Sequence, residues 1–256
     1  MQKLLSYRGT DDIRELPFGM IRVSNEALMW LRGVRGELLM AERLQYLGPE
    51  WVVLHSVLVD RFTDIDHIAI GPPGVFPINT KRLLDREVVV EDDVFRSDGW
   101  KKKFLAKSEI EARRVDSVLR RAQISATVLP IIAISGAAKV RVKGQPQWHG
   151  RNIGVAAVED VARRLVKRQR RLEADQVNEI AEVLSDSSSW KTRSADAPPE
   201  MLAEYRRLDR GTSRFRGLIV VASFAIILAS LVGFGFWFSW TVAPRVADYV
   251  TSLYIS

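Results

Sequence analysis

The chain has 256 residues, of which 47% are hydrophobic and 27% charged, and it contains no cysteine. This composition predicts a folded protein with one sizeable core, and it excludes a wholly disordered chain, a disulfide framework and a thiolate metal site. The 38 basic and 31 acidic residues give a net charge of +7, which indicates a polyanionic partner, either nucleic acid or an anionic membrane surface.

The hydrophobic pattern alternates between helix and strand periods along most of the chain. In chain order, the expected elements are a helix over about 26–46, apolar strands over 51–59, 67–70 and 75–78, a polar β-rich segment over 87–95, a charged helix over about 104–123, a buried strand over 127–134, and two amphipathic helices within 158–166 and 177–184. This order predicts a mixed α/β fold whose central sheet is covered by helices on both faces.

The C-terminal part of the sequence carries a long apolar segment. Residues 217–240 form a run of 24 residues without a charge, which as a helix extends about 36 Å and so exceeds a hydrocarbon core of about 30 Å. Five arginines lie between 206 and 216, whereas only Arg245 follows the run. The positive-inside rule therefore predicts a single-pass protein of the cell membrane with its N-terminal domain in the cytoplasm.

These patterns divide the chain into six segments. They are an N-terminal extension (1–25), an α/β domain with its closing helices (26–184), a linker rich in serine and proline (185–199), a basic juxtamembrane helix (200–216), the transmembrane helix (217–240) and a short extracytoplasmic tail (241–256).

Polar residues follow or precede the apolar strands on either side of the Gly-Pro-Pro-Gly turn. If these strands form a hairpin, Asp66, Asn79 and Lys81 meet at one edge of the sheet, since residues two apart on a strand share a face. Carboxylate oxygens with a nearby lysine suit a magnesium-dependent phosphodiesterase. Each residue also has a structural interpretation, with Asp66 as a strand-end acid, Lys81 as a solvated lysine and Glu37 as a carboxylate near a helix start.

Three groups of residues carry a family resemblance. They are Gly33-x-x-Gly36-Glu37, then Asp64-Ile65-Asp66-His67 continuing into Ile70-Gly71-Pro72-x-Gly74-Val75-Phe76-x-Ile78-Asn79-Thr80-Lys81, and finally Ser108-x-x-Glu111-Ala112. Together they resemble the nuclease-related domain (NERD) family, whose fold is similar to that of the PD-(D/E)XK nucleases. The resemblance extends from Gly33 to about Arg168 and weakens after Ala137.

The resemblance implies a catalytic set of Glu37, Asp66, Asn79 and Lys81, with magnesium or manganese held by Glu37, Asp66 and Asn79. The implied reaction is metal-dependent hydrolysis of DNA or RNA at the cytoplasmic membrane face. Asn79 stands where the signature has an acid, as it also does in similar bacterial proteins, and this lowers the expected metal affinity unless Asp64 or Glu37 compensates. The alternative is an inactive nucleic-acid-binding or scaffold module tethered to the membrane.

Two basic clusters are candidates for contact with nucleic acid. One is Lys101, Lys102 and Lys103 beside Trp100, and the other is Arg163, Arg164 and Lys167 on an amphipathic helix. Both also fit a solvated surface, and the arginine-rich helix fits attraction to anionic lipid. The sequence lacks a Walker loop and a dinucleotide-binding glycine motif, so no nucleotide cofactor is expected. The oligomeric state stays open.

Overall fold

The computed structural model describes residues 13–60, 63–190 and 199–241. The elements within these ranges are β1 (Ile13–Leu16), β2 (Met20–Val23), α1 (Asn25–Leu44), β3 (Val52–Asp60), β4 (Thr63–Gly71), β5 (Gly74–Arg82), β6 (Glu87–Glu91), β7 (Val94–Ser97), β8 (Trp100–Lys102), α2 (Phe104–Arg121), β9 (Ile131–Ser135), β10 (Lys139–Lys143), β11 (Gln147–Trp148), β12 (Arg151–Asn152), β13 (Gly154–Ala157), α3 (Val158–Val166), α4 (Ala174–Ser185) and α5 (Pro199–Thr241). The chain divides into two compact units, one from residue 29 through α4 and the other from β1, β2 and α5.

The main sheet of the larger unit has five strands in the order β13-β9-β5-β4-β3. Strands β13, β9 and β5 run parallel, whereas β3, β4 and β5 are antiparallel neighbours. The sheet is therefore mixed, and the α/β class predicted from the sequence is confirmed. The expected hairpin is also present, because β4 and β5 pair from Gly71 opposite Gly74 to His67 opposite Ile78.

The turn of this hairpin depends on one glycine. Gly74 has a φ of +140°, and a Cβ atom there would lie 2.6 Å from the carbonyl oxygen of Thr127. Only glycine fits a backbone of this conformation against a neighbouring main chain. The close approach is accompanied by a hydrogen bond from the Val75 amide to the same oxygen, at 2.9 Å.

Helices cover both faces of the main sheet, as the sequence predicts. On one face Phe76 and Ile78 pack with residues of α1 and α3, such as Met40 and Leu165. On the other face the buried side chains of β4 and β5 pack with α2 and α4; these are Ile68, Ile70 and Val75 against Val115, Leu119 and Ile180. Burying each such side chain contributes about 1.5–3 kcal/mol, so the two apolar layers account for most of the stability of this unit.

A smaller four-stranded sheet, ordered β10-β6-β7-β8, includes the predicted polar β segment. Its apolar residues Val88, Val90 and Phe95 form a core with Leu105 of α2 and with β9. Strand β8 ends at Lys102, and α2 begins two residues later at Phe104. The smaller sheet thus fixes where α2 starts, next to the end of β5.

The second unit is built on α5. The hairpin of β1 and β2 packs on this helix through Ile21, which approaches the position of a Gly211 Cβ to 2.5 Å. Tyr205 and Leu208 are buried in this unit, and Arg207 donates to the Glu15 carboxylate. Part of the predicted N-terminal extension (1–25) therefore forms a hairpin that packs on α5.

The predicted juxtamembrane and transmembrane segments form one continuous helix, α5. The segment Tyr205–Ser230 is long and apolar enough to cross a membrane by length and composition. Its first turns carry buried residues of this unit, whereas residues 217–230 are exposed. The predicted tail beyond Thr241, most of the linker and the first twelve residues lie outside the described residues.

Candidate functional site

Strands β4 and β5 separate immediately after the pair formed by His67 and Ile78. At that point the carboxylate of Asp66 takes the place of a strand partner, since the Thr80 amide donates to Asp66 Oδ2 at 2.6 Å. Strand β5 continues beside β9 as far as Arg82. The divergence therefore places a buried carboxylate between two strands, and we call the surrounding group of side chains the Asp66 site.

Asn79 and Lys81 point toward α2, because they alternate with Ile78 and Thr80 along β5. The Lys81 ammonium donates to Asn79 Oδ1 and to the Thr80 carbonyl at 3.1 Å. Its Nζ also lies 5.5 Å from the ring centroid of Phe104, the first residue of α2. The structure thus brings together the three residues that the sequence predicts at this edge.

Glu37 reaches the site from α1, which approaches the sheet at Gly36. A Cβ at Gly36 would lie 3.3 Å from Arg82 Cβ and 3.4 Å from Thr80 Cγ2, so the absence of a side chain permits this contact. Burial raises the pKa of Glu37 to about 7, and the nearby carboxylate of Asp66 contributes to the rise. Glu37 and Asp66 therefore act on each other electrostatically from two different elements.

A third carboxylate, that of Glu111 on α2, belongs to the same group. Its Oε1 accepts a hydrogen bond of 2.6 Å from Asn79 Nδ2 and lies 3.5 Å from Lys107 Nζ. Its Oε2 is buried and has no hydrogen-bond partner among the described residues. Glu111 belongs to the Ser108-x-x-Glu111-Ala112 motif, but the sequence assigns it no role in the site. The sequence signal for a buried role is its spacing, since an acid four and seven residues before Val115 and Val118 lies on the apolar face of the helix.

Burial governs the protonation of the whole site. It raises the pKa of Asp66, against the opposing effect of the Lys81 ammonium and the Thr80 amide. It raises the pKa of Glu111 to about 7, although the ammonium of Lys107 acts in the other direction. Burial also lowers the pKa of Lys81, which the charge of Asp66 partly offsets. The site therefore holds three carboxyl groups with too little positive charge nearby to keep all of them ionised easily.

The histidine next to Asp66 lies on the other side of the strand. His67 is buried, and its Nδ1 lies 2.8 Å from Nδ1 of His55 on β3. Burial lowers the pKa of His67 to about 3, with a further contribution from His55. His67 is therefore neutral and paired with His55 in the sheet layer, and its contact with the backbone of Glu37 raises its pKa to a lesser extent.

The donor chemistry of the site fits a hard divalent cation. Within the described ranges, no group of three or more histidine, cysteine or acidic side chains is close enough to hold a metal ion. The unpartnered Oε2 of Glu111 and the raised carboxyl pKa values nevertheless indicate missing positive charge. Both ends of the Asn79 amide already have partners, so Asp66 and Glu37 are the better candidates for metal ligands.

The two predicted basic clusters differ in their relation to the site. Lys101, Lys102 and Lys103 are exposed immediately before Phe104, and the indole of Trp100 beside them is 74% exposed. Arg163 and Arg164 lie instead on α3, at the other face of the sheet, and Lys167 caps that helix. Both arginines pair with Asp160, at 2.5 and 3.7 Å. The lysine cluster is therefore the one that adjoins the Asp66 site.

A groove of about 480 Å³ lies farther along α2. Its lining combines basic and apolar side chains, namely Arg113, Arg114, Arg121, Ser117, Val59, Ile110, Val118 and Trp190. Arg113 donates to Glu109 and Arg121 to the Ser189 carbonyl. Arginines thus continue along the helix that carries Glu111, and the carboxylate of Glu109 balances the charge of Arg113.

Residues 32–143 match the family model of the nuclease-related domain. This match covers Glu37, Asp66, Asn79, Lys81 and Glu111. The resemblance predicted from the sequence extends further, to about Arg168. No curated protein and no solved structure matches the chain. Residues 32–143 are therefore similar to a nuclease-related domain, and the resemblance seen in the motifs is confirmed over that range.

Proposed function

We propose that this chain is a membrane-tethered, metal-dependent phosphodiesterase acting on DNA or RNA, with the Asp66 site as its reaction centre. The observation that carries the proposal is the meeting of Asp66, Asn79 and Lys81 where β4 and β5 separate. That meeting lies inside the range that is similar to a nuclease-related domain. A carboxylate that can hold a metal ion and a lysine that can orient water are two of the groups that a metal-dependent phosphodiesterase uses.

Asp66 and Glu37 would hold magnesium or manganese. A bound divalent cation supplies Lewis-acid activation of the phosphodiester and of the attacking water. Asp66 is fixed for this role by the Thr80 amide, which binds Oδ2 at 2.6 Å. Glu37 approaches from a different element, so its distance from Asp66 depends on how closely α1 packs on the sheet.

Lys81 orients the attacking water or a phosphate oxygen. Of its three N–H donors, one binds Asn79 and another the Thr80 carbonyl, which leaves one donor for an oxygen of the substrate or of water. Burial lowers the pKa of Lys81, so its Nζ releases a proton more easily than a solvated lysine does. The amine is thus suited to proton transfer as well as to positioning.

The exposed lysines before α2 support nucleic acid as the substrate. Lys101, Lys102 and Lys103 would bind the phosphate backbone next to the site, and Trp100 offers an exposed ring for base stacking. The basic groove farther along α2 extends the same surface. Phosphate contacts of this kind weaken steeply as the salt concentration rises.

Helix α5 supports a location at the cytoplasmic face of the cell membrane. The described side chains from residue 217 to residue 230 are exposed on every side of the helix, including Val220, Phe224 and Ile226 at 66–69% exposure. Such a helix requires lipid or a protein partner to cover it. The arginines that precede the apolar segment favour a cytoplasmic position for the nuclease-related domain.

Cleavage by the full-length chain in detergent tests the proposal. We expect manganese-dependent cleavage of DNA or RNA that Asp66→Ala and Lys81→Ala each reduce by at least about a hundredfold. Lys143→Ala is a matched control, because Lys143 is exposed on β10 and pairs only weakly with Glu91 at 3.6 Å. Equal traces of cleavage in all four proteins would indicate contamination and would contradict the proposal.

The neutral amide at position 79 favours a second candidate function, a tethered binding module without catalysis. Such a module would bind nucleic acid through its lysines. Titration of manganese into it would give no binding heat that depends on Asp66. Calorimetry on the wild type and Asp66→Ala separates the two functions. A manganese-binding heat that disappears in the variant supports the hydrolase and excludes the inactive module.

A further inference from the structure

Asn79 and Glu111 form a buried hydrogen-bonded pair in which the donor and the acceptor are fixed. Both side chains are nearly inaccessible, with 2% of Asn79 and 1% of Glu111 exposed. The amide nitrogen of Asn79 donates to Glu111 Oε1 at 2.6 Å, and the amide oxygen accepts from Lys81. Glu111 accepts, so it selects the orientation in which the amide oxygen of Asn79 faces the lysine.

This pairing gives a physical reason for asparagine at position 79. An aspartate there would place a second carboxylate at hydrogen-bonding distance from Glu111 in a buried environment. Two carboxylates in such contact cannot both stay ionised. The site therefore tolerates one acid across this contact, on either β5 or α2, together with one amide.

We propose that Glu111 on α2 supplies the carboxylate that position 79 on β5 lacks, an exchange of one acid position for another. Glu111 is then a positioning residue that orients Lys81 through Asn79 and supplies the third negative charge of the site. Its buried, unpartnered Oε2 is the oxygen on which that charge remains available. The metal-binding part of this inference rests on the proposed function, whereas the exchange itself does not.

A double-mutant cycle in thermal unfolding tests the exchange without metal. In the full-length chain in detergent with EDTA, Asn79→Asp should lower the Tm by about 3–8 °C, because it opposes two buried carboxylates. In the Glu111→Gln background, Asn79→Asp should lower the Tm by less than about 2 °C, because the glutamine amide then donates to the introduced carboxylate. Equal losses in both backgrounds would overturn the exchange.

Manganese calorimetry on the same proteins tests the contribution of charge. Glu111→Gln should weaken manganese binding about 10–100-fold. In the double variant, which carries Asn79→Asp together with Glu111→Gln, the affinity should recover to within about threefold of that of the wild type. Glu109→Gln is the matched control, since Glu109 is another buried acid of α2 but pairs with Arg113. Unchanged affinity in Glu111→Gln would overturn the positioning role. If the wild type binds no manganese, the proposed function fails, and the unfolding cycle still decides the exchange.

Discussion

The Glu111 carboxyl group makes the stability of the fold depend on pH. Its pKa is raised from 4.5 to about 7 by burial, so the folded chain holds this proton more tightly than the unfolded chain. The contribution of Glu111 is therefore most favourable below pH 4.5, and it falls as the pH rises from 4.5 to about 7. The shift corresponds to about 3 kcal/mol.

Glu111→Gln should remove this part of the pH dependence. At about pH 8 and without metal, the variant should be more stable than the wild type by up to about 3 kcal/mol, whereas near pH 4.5 the two should be equal. Denaturant unfolding at several pH values in EDTA measures the difference. A difference that stays constant over this pH range would mean that the Glu111 carboxyl titrates normally in the folded chain.

Helix α1 contains two glycines that differ in their surroundings. A Cβ at Gly36 would lie 3.3–3.4 Å from Arg82, Thr80 and Ser135, whereas one at Gly33 would have no neighbour within 4 Å. A larger side chain at position 36 must push α1 away from the sheet, and Glu37 moves with the helix. The distance between the carboxylates of Glu37 and Asp66 therefore depends on the close approach of α1 to the sheet at Gly36.

Gly36→Leu should lower the free energy of unfolding by about 1–3 kcal/mol through overpacking and should weaken manganese binding. Gly33→Leu is the control, and it should leave binding unchanged and stabilise the helix by up to about 1 kcal/mol. Denaturant unfolding and calorimetry measure the two effects. Equal metal affinity in both variants would show that α1 does not position Glu37 for the ion.

The elements that sequence analysis predicts are those with a local signal. The hairpin of β4 and β5 follows from two apolar runs around a Gly-Pro-Pro-Gly turn, and α2 follows from the spacing of Val115, Val118 and Leu119. The short strands β8 and β10–β13 lack such a signal, because two to five residues cannot establish a period. The strand predicted over 127–134 begins instead at Ile131, and Val128 forms only an isolated bridge to Val75.

Long-range pairs could not be predicted from periodicity. Asp66, Asn79 and Lys81 flank one hairpin, so their meeting follows from strand geometry. The bond between Asn79 and Glu111 joins residues 32 positions apart, and the contact of Glu15 with Arg207 joins residues 192 positions apart. Both depend on the packing of separate elements, for which one sequence contains no direct signal.

At the scale of the whole molecule, the proposed membrane attachment could rest on either of two forces. The net charge of +7 favours electrostatic attraction to anionic lipid, whereas the exposed apolar side chains of α5 favour insertion. The two modes differ in salt dependence. Surface attraction is screened within about 10 Å at about 0.1 M salt, but a spanning helix is insensitive to salt.

We expect the wild-type chain to remain in the membrane pellet in about 1 M salt and in alkaline carbonate. Ile226→Lys together with Leu228→Lys should release most of it, because each lysine near the centre of a span opposes insertion by about 2.5–3.5 kcal/mol. Val142→Lys is the control for an added charge, since Val142 is also an exposed apolar residue but lies on β10. Release of the wild type by salt alone would show that basic residues, and not α5, hold the chain at the membrane.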